Sequence, residues 1–95
     1  MLKPNLSRQS EKFLLKLQKG QPKHAKQIAV KITELCSDPL PQDSSQLRGY
    51  DYKRVNVKRV NVGEYRIIYT FDVETLFLIF IGKRNDDEVY NLLQH

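Results

Sequence analysis

The chain has 95 residues and a net charge of +5, which comes from 16 Lys and Arg against 11 Asp and Glu. This length suits one domain over residues 1–95 with one modest core, and the positive charge favours an anionic partner such as nucleic acid or an acidic protein. A single cysteine excludes a disulfide within the chain, and no apolar run approaches the length of a membrane span. We therefore expect a soluble protein of the cytoplasm that does not associate with membranes.

Two helices are predicted in the first part of the chain. Ser7 is a candidate N-cap of the first helix, and Gly20 is a plausible end. The second helix is predicted from Lys23 to Ser37, where apolar residues recur at intervals of three and four. A proline-containing segment that begins at Asp38 ends it. The pair is expected to form a helical hairpin.

From Tyr50 onwards, β-branched and aromatic residues predict strands. Side chains alternate from Tyr65 to Phe71, which is typical of a strand with one face more deeply buried. Leu76–Ile81 is continuously apolar and is predicted to be a central strand that is covered on both faces. Asn85–Leu93 is predicted to form a short C-terminal helix or turn.

A tandem repeat occupies the first half of this strand region, with Lys53–Val57 followed by Lys58–Val62. Its period is five, whereas side chains along a strand alternate with period two. Valines of the two copies would therefore point to opposite faces of one unbroken strand. We predict a bulge or a hairpin near Lys58 and Arg59, which would allow both copies to bury their valines.

Basic side chains concentrate in the same region, and Arg66, Arg84 and Tyr90 lie at the ends of very apolar strands. Residues 48–66 contain six basic residues and two acidic ones. Such side chains suggest contact with an anionic ligand.

These segments together resemble the RelE branch of the RelE/ParE superfamily, the toxins of bacterial type II toxin–antitoxin systems. The resemblance covers nearly the whole chain and rests on the order and spacing of four motifs: Leu47-Arg48-Gly49, Gly63-Glu64-Tyr65-Arg66-Ile67-Ile68-Tyr69, Gly82-Lys83-Arg84 and Glu88-Val89-Tyr90. It implies an α+β fold, in which a small twisted antiparallel sheet carries the N-terminal helical hairpin on one face. It also implies a metal-independent endoribonuclease without cofactors, an mRNA interferase that cuts mRNA in the ribosomal A site. The implied partners are the ribosome, mRNA and a cognate RelB-like antitoxin.

The resemblance also assigns site residues. Arg66, Arg84 and Tyr90 match catalytic positions of the family. The family also has basic residues on the preceding strand. The repeat can be aligned with those positions in two registers, so the candidates are Lys53, Arg54, Lys58 and Arg59. Asn61 stands where active relatives have a basic residue. We expect catalytic roles for Arg66, Arg84, Tyr90, Lys58 and Lys53, and RNA-binding roles for Arg54, Arg59, Lys83 and Arg48.

The residues alone constrain how such a site would work. The two histidines, His24 and His95, lie in the helical hairpin and at the last position, where neither suits the usual acid–base role. No cluster has the spacing of metal ligands. If the protein cuts RNA, arginine, lysine and tyrosine must supply the chemistry, with the ribosome aligning the substrate.

Two other functions fit the same fold. One is inhibition of DNA gyrase by a ParE-like toxin that cuts no RNA. The other is a catalytically inactive module that binds an antitoxin or RNA. Substitution of Arg66 and Arg84 distinguishes an enzyme from such a module, because an inactive module has no cleavage to lose.

Overall fold

The computed structural model describes residues 1–52 and 55–84, and for residues 46–52, 55 and 56 it describes the backbone only. Two helices and five strands are formed in this part of the chain. In chain order they are β1 (Lys3–Leu6), α1 (Arg8–Gly20), α2 (Pro22–Ser37), β2 (Ser45–Tyr52), β3 (Val55–Val62), β4 (Tyr65–Phe71) and β5 (Thr75–Lys83). The strands form one sheet in the order β1-β5-β4-β3-β2. The α+β fold is confirmed, while the predicted C-terminal helix or turn at Asn85–Leu93 lies outside the described residues.

The helical hairpin begins where the sequence predicts it. Ser7 is the N-cap of α1, and its hydroxyl accepts a hydrogen bond from the backbone N–H of Ser10 at 3.1 Å. The same hydroxyl donates to the carbonyl of Ile79 in β5 at 2.8 Å, so the cap also ties the helix to the sheet. Pro22 occupies the first turn of α2, where its missing N–H costs no helical hydrogen bond.

The main core lies between α2 and one face of the sheet. Ile28 and Leu35 of α2 are fully buried there, together with Ile67 and Tyr69 of β4. The Tyr69 hydroxyl donates to the carbonyl of Pro39 at 2.7 Å, and burial raises the pKa of this tyrosine. Removing these apolar side chains from water is the main force that holds α2 on the sheet.

Strand β1 is absent from the sequence prediction and makes the sheet mixed rather than fully antiparallel. Its four residues pair in parallel with β5, and Leu6 stands opposite Leu78. The remaining pairs, from β5 to β2, are antiparallel as predicted. The sequence does not reveal β1, because the strand is short and contains Pro4, which is tolerated only at a sheet edge.

The predicted break within the tandem repeat is wrong for β3 itself. This strand runs without interruption from Val55 to Val62, and the irregularity lies in its partner, where β2 changes register between Gln46 and Asp51. Val57 and Val60 point to opposite faces, yet both are buried, with 0% and 1% of their surface exposed. The prediction failed because it assumed one buried face, whereas this sheet buries apolar residues on both.

Two short turns set the register of the last three strands. Gly63 has a φ of +56°, a left-handed conformation that glycine adopts without strain, and it connects β3 to β4 in a two-residue hairpin. Between β4 and β5, a carboxylate oxygen of Asp72 accepts the backbone N–H groups of Glu74 and Thr75. These two bonds lower the pKa of Asp72.

Candidate functional site

The face of the sheet away from the helices carries the polar residues of the candidate site. Strand pairing sets Asn61 of β3 directly opposite Arg66 of β4, and Arg66 opposite Gly82 of β5. Arg59 lies two residues before Asn61 and therefore on the same face. We call Arg59, Asn61, Arg66 and Gly82 the arginine face.

Arg66 is held in place by its cross-strand neighbour. Its Nε donates a hydrogen bond to Oδ1 of Asn61 at 3.3 Å, and it takes part in a further interaction as well. The bond at Nε fixes the orientation of one edge of the planar guanidinium. Asn61 thus fixes the direction of the group best suited to contact a phosphate.

Arg59 is anchored from the other side. Its Nε donates to the Ser45 hydroxyl of β2 at 2.9 Å. Arg59 stands opposite Ile68, two residues from Arg66, and such diagonal neighbours in an antiparallel pair are typically about 7–8 Å apart. Two arginines on neighbouring positions of one face can both reach a single phosphate backbone.

The glycine of the face allows a close aromatic contact. A Cβ atom at Gly82 would lie 2.6 Å from Cε1 of Phe80 and 2.9 Å from its Cζ. The Phe80 ring therefore lies over the backbone next to Arg66, in space that any other side chain would fill. Phe80 is buried, so this ring forms an apolar border to the site.

Lys83 and Arg84 follow Gly82 at the end of β5. The backbone N–H of Arg84 donates to the carbonyl of Glu64 at 2.9 Å, which holds this end against the β3–β4 hairpin. Both side chains are exposed beside an open recess of about 340 Å³. Lys83 pairs with Tyr65 and so faces the helices, whereas Arg84 lies in the turn directly after β5.

The structure does not bring Lys58 into this group. Lys58 stands opposite Tyr69 on the face that carries α2, and its Nζ lies 5.2 Å from the ring centroid of Phe71. This is the geometry of a cation–π contact. Lys58 therefore lies on the face opposite to Arg66, because one residue along a strand changes the face, and its catalytic role stays a prediction.

The side chains of four other predicted site residues are not among those that the structure describes. Lys53, Arg54 and Tyr90 lie outside the described residues, and Arg48 lies in the part of β2 for which only the backbone is described. Their roles stay predictions.

Sequence reasoning missed the contributions of Asn61, Ser45 and Gly82. For Asn61 a signal was present, since a two-residue hairpin at Gly63 and Glu64 sets residue 61 opposite residue 66. No comparable pattern in the sequence points to Ser45, which reaches Arg59 from a separate strand.

His24 lies on the helix side of the sheet. Its Nδ1 is 2.8 Å from the Tyr65 hydroxyl, and the two rings meet edge to face. Burial, followed by the charge of Glu64, raises the pKa of Tyr65. Within residues 1–52 and 55–84, no group of three or more His, Cys, Asp or Glu is placed to hold a metal ion.

The described helices are also too short or too polar to cross a membrane.

Among the described residues of the arginine face, the polar side-chain groups are guanidinium and amide groups. This arrangement is suited to binding and stabilising negative charge.

Comparisons with known proteins identify the class of molecule. The family profile for the "ParE toxin of type II toxin-antitoxin system, parDE" matches residues 5–88. The crystal structure of the archaeal RelE–RelB complex from Pyrococcus horikoshii OT3 matches with a TM-score of 0.69 and 20% sequence identity, over 88% of this chain and 96% of that chain. At this identity the likeness is one of fold. None of the curated proteins compared with the chain matches it.

The protein is thus a toxin of a type II toxin–antitoxin system, and its resemblance to the RelE/ParE superfamily is confirmed. Within that superfamily, the chain belongs to the ParE toxin family, whose profile covers most of its length.

Proposed function

We propose that this toxin is an endoribonuclease that cuts mRNA in the ribosomal A site and is neutralised by a cognate RelB-like antitoxin. The observation that carries the proposal is the hydrogen bond from Arg66 to Asn61, which orients a guanidinium on the face of the sheet that also carries Arg59. The likeness of the fold to a RelE–RelB complex supports both the activity and the partner.

The chemistry requires stabilisation of a phosphate as the ribose 2′-oxygen attacks it. Arg66 can donate two N–H groups to the oxygens on which charge accumulates, and Arg59 can hold the neighbouring phosphate. Arg84 extends from the same end of the sheet and is assigned to the leaving group or to a second phosphate contact. Guanidinium groups are poor proton donors, so alignment of the RNA by the ribosome supplies much of the rate.

Lys58 is a weaker candidate for the base than Lys53, because it lies on the face that carries the helices. Lys53 and Tyr90 remain our candidates for proton transfer, and Lys83, Arg48 and Arg54 for contacts with RNA. Crowding by neighbouring cations is the physical means by which a lysine would become a base near neutral pH.

The family profile favours a second candidate, inhibition of DNA gyrase, because it describes a ParE toxin. In this alternative the arginine face binds protein or DNA and cleaves nothing. A catalytically inactive module that only binds antitoxin or RNA is the third possibility.

Mapping of mRNA 5′ ends in a purified translation system separates these functions. The wild type should produce cuts within codons only when ribosomes are present. Arg66→Ala should lower the cleavage rate by about 100- to 1000-fold, the usual effect of removing a donor to a transition-state oxyanion. Arg84→Ala should also lower it. Arg8→Ala is the matched control, since Arg8 is exposed on α1, and its rate should equal that of the wild type.

Cuts on naked RNA would contradict the ribosome requirement while retaining the nuclease. Folded wild-type protein that makes no cuts but inhibits gyrase supercoiling would replace the proposal with the ParE-like function. Inactivity in both assays would favour the binding module.

A further inference from the structure

Strand β5 extends further than the strand that pairs with its outer side. Strand β1 ends at Leu6, opposite Leu78, whereas β5 continues to Lys83 and stays paired with β4 on its inner side to that point. Past Leu78, the outer edge of β5 therefore has no neighbouring strand among the described residues. Such an edge leaves backbone N–H and C=O groups that need partners, because an unpaired buried polar group costs free energy.

Side chains from the start of α1 take the place of the missing strand. The Ser7 hydroxyl donates to the carbonyl of Ile79 at 2.8 Å. Two residues further along β5, Gln9 makes two bonds to Ile81. Its Nε2 donates to the carbonyl at 2.8 Å, and its Oε1 accepts the backbone N–H at 3.1 Å. The carboxamide thus engages both backbone groups of one residue, as the peptide groups of a paired strand do.

The chemistry of this contact requires a carboxamide, because that group carries a donor and an acceptor in one plane. A glutamate at position 9 would bring only acceptors at neutral pH and would leave the Ile81 carbonyl without a donor. A methionine of similar length would supply no donor at all. Ile81 is 0% exposed, so its backbone groups depend on Gln9 rather than on water.

The anchored residue lies directly before the part of β5 that belongs to the candidate site. Gly82 stands opposite Arg66, and the backbone N–H of Arg84 donates to the carbonyl of Glu64 at 2.9 Å. The inner side of this segment is thus held by β4 and its hairpin. On the outer side, Gln9 is the last hydrogen-bond partner that the described residues provide. A strand end that loses a restraint frays, because local opening there costs little free energy.

We propose that Gln9 is a positioning residue for RNA cleavage, which fixes the end of β5 and thereby the place of the Arg84 guanidinium. The proposal rests on the proposed function, because the role of Arg84 in cleavage belongs to that function. Gln9 bonds to the backbone of β5 and acts through the strand rather than on the substrate. A displacement of about 1 Å at a group that contacts the reacting phosphate can lower a rate by about 100-fold, so fraying of this end is sufficient to impair cleavage.

Amide hydrogen exchange, measured by NMR, tests the anchor itself. Gln9→Met keeps the approximate length of the side chain and removes both bonds. The amides of Ile81 and Arg84 should then exchange at least about tenfold faster, which corresponds to about 1.4 kcal/mol. Gln18→Met makes the same change at an exposed position of the same helix and should leave both rates unchanged. Unchanged exchange at Ile81 in Gln9→Met would overturn the proposal.

Ribosome-dependent cleavage at saturating ribosome concentration tests the positioning role. Gln9→Met should lower the rate by about 10- to 100-fold when Arg84 is present. In an Arg84→Ala background it should change the rate by less than about twofold, because the group that Gln9 positions is then absent. A role in stability alone would give the same loss in both backgrounds, and that result would contradict the proposal.

Gln9→Glu is a second variant, to which the same two measurements apply if Gln9→Met does not fold. It keeps the length of the side chain and the acceptor for the Ile81 N–H, but it has no proton to donate to the Ile81 carbonyl. Its cleavage rate should also fall, and the fall should again depend on Arg84. A rate equal to that of the wild type would show that the donated bond does not position the strand end.

The exchange measurement separates this inference from the proposed activity. Faster exchange at Ile81 and Arg84 in Gln9→Met, in a protein whose wild type cuts no mRNA, would reject the nuclease and retain Gln9 as the anchor of Arg84. Conversely, ribosome-dependent cleavage that Gln9→Met does not affect would retain the nuclease and overturn the positioning role.

Discussion

At the scale of single residues, the site depends on which face of a strand each side chain occupies. Lys58 and Arg59 are neighbours in sequence, yet one contacts the Phe71 ring and the other bonds to Ser45 on the opposite face. The resemblance to the family marks Asn61 only as a replacement for a basic residue. In the structure it is the hydrogen-bond acceptor that orients Arg66.

We predict that Asn61→Ala lowers ribosome-dependent cleavage by about 10- to 100-fold, because a misdirected catalytic group loses much of its effect. The loss should be smaller than for Arg66→Ala, since Arg66 keeps its charge and its further interaction. Hydrogen exchange at Nε of Arg66, measured by NMR, should become faster in the same variant. Asn5→Ala, at an exposed position of β1, is the control. Unchanged exchange at Nε would show that Asn61 does not hold the guanidinium.

At the scale of elements, β5 contributes side chains both to the core and to the border of the candidate site. Its pairing with β4 shifts register between Ile68 and Tyr69, where Phe80 and Leu78 are the respective partners and Ile79 is the extra residue. A bulge of this kind re-aims the side chains that follow it. Here it leaves Phe80 leaning over Gly82, beside Arg66.

We predict that Gly82→Ala destabilises the fold by about 1–3 kcal/mol, the usual cost of overpacking a buried contact. The added Cβ would lie 2.6 Å from the Phe80 ring, which must move. Gly82→Ala combined with Phe80→Leu should be less destabilised than the sum of the two single variants, because the smaller side chain removes the clash. Urea denaturation of the four proteins measures this coupling. Additive losses would mean that the ring does not occupy the space above Gly82.

At the scale of the whole molecule, the sheet is buried on both faces in its centre. Ile67 packs in the core beneath α2, and Ile68 points to the other face, yet both are 0% exposed. The arginine face is therefore a polar margin around an apolar interior rather than an entirely solvated surface.

We predict that Ile67→Ala and Ile68→Ala each lower the free energy of unfolding by about 2–5 kcal/mol. Val73→Ala, at a position that is 92% exposed in the β4–β5 turn, should change it by less than about 0.5 kcal/mol. Denaturant unfolding of the three variants provides the comparison. If Ile68→Ala behaved like Val73→Ala, the second face would not contribute a core.

Local patterns in the sequence determined most of the elements. The cap at Ser7, the apolar stripe of α2 and the continuous apolar run of β5 each depend on residues within a few positions of one another, and the structure confirms them. The motifs around Arg66 and Arg84 likewise indicated the superfamily. Such features are readable because periodicity and capping are properties of a short segment.

Only the tertiary structure decided how these elements combine. The parallel pairing of β1, the unbroken path of β3 and the bond from Arg59 to Ser45 depend on residues far apart in the chain. The side of the sheet on which Lys58 lies also required the strand pairing, because the repeat allowed two registers. Sequence alone thus determined which side chains could bind an anion, while long-range packing determined which of them share a face.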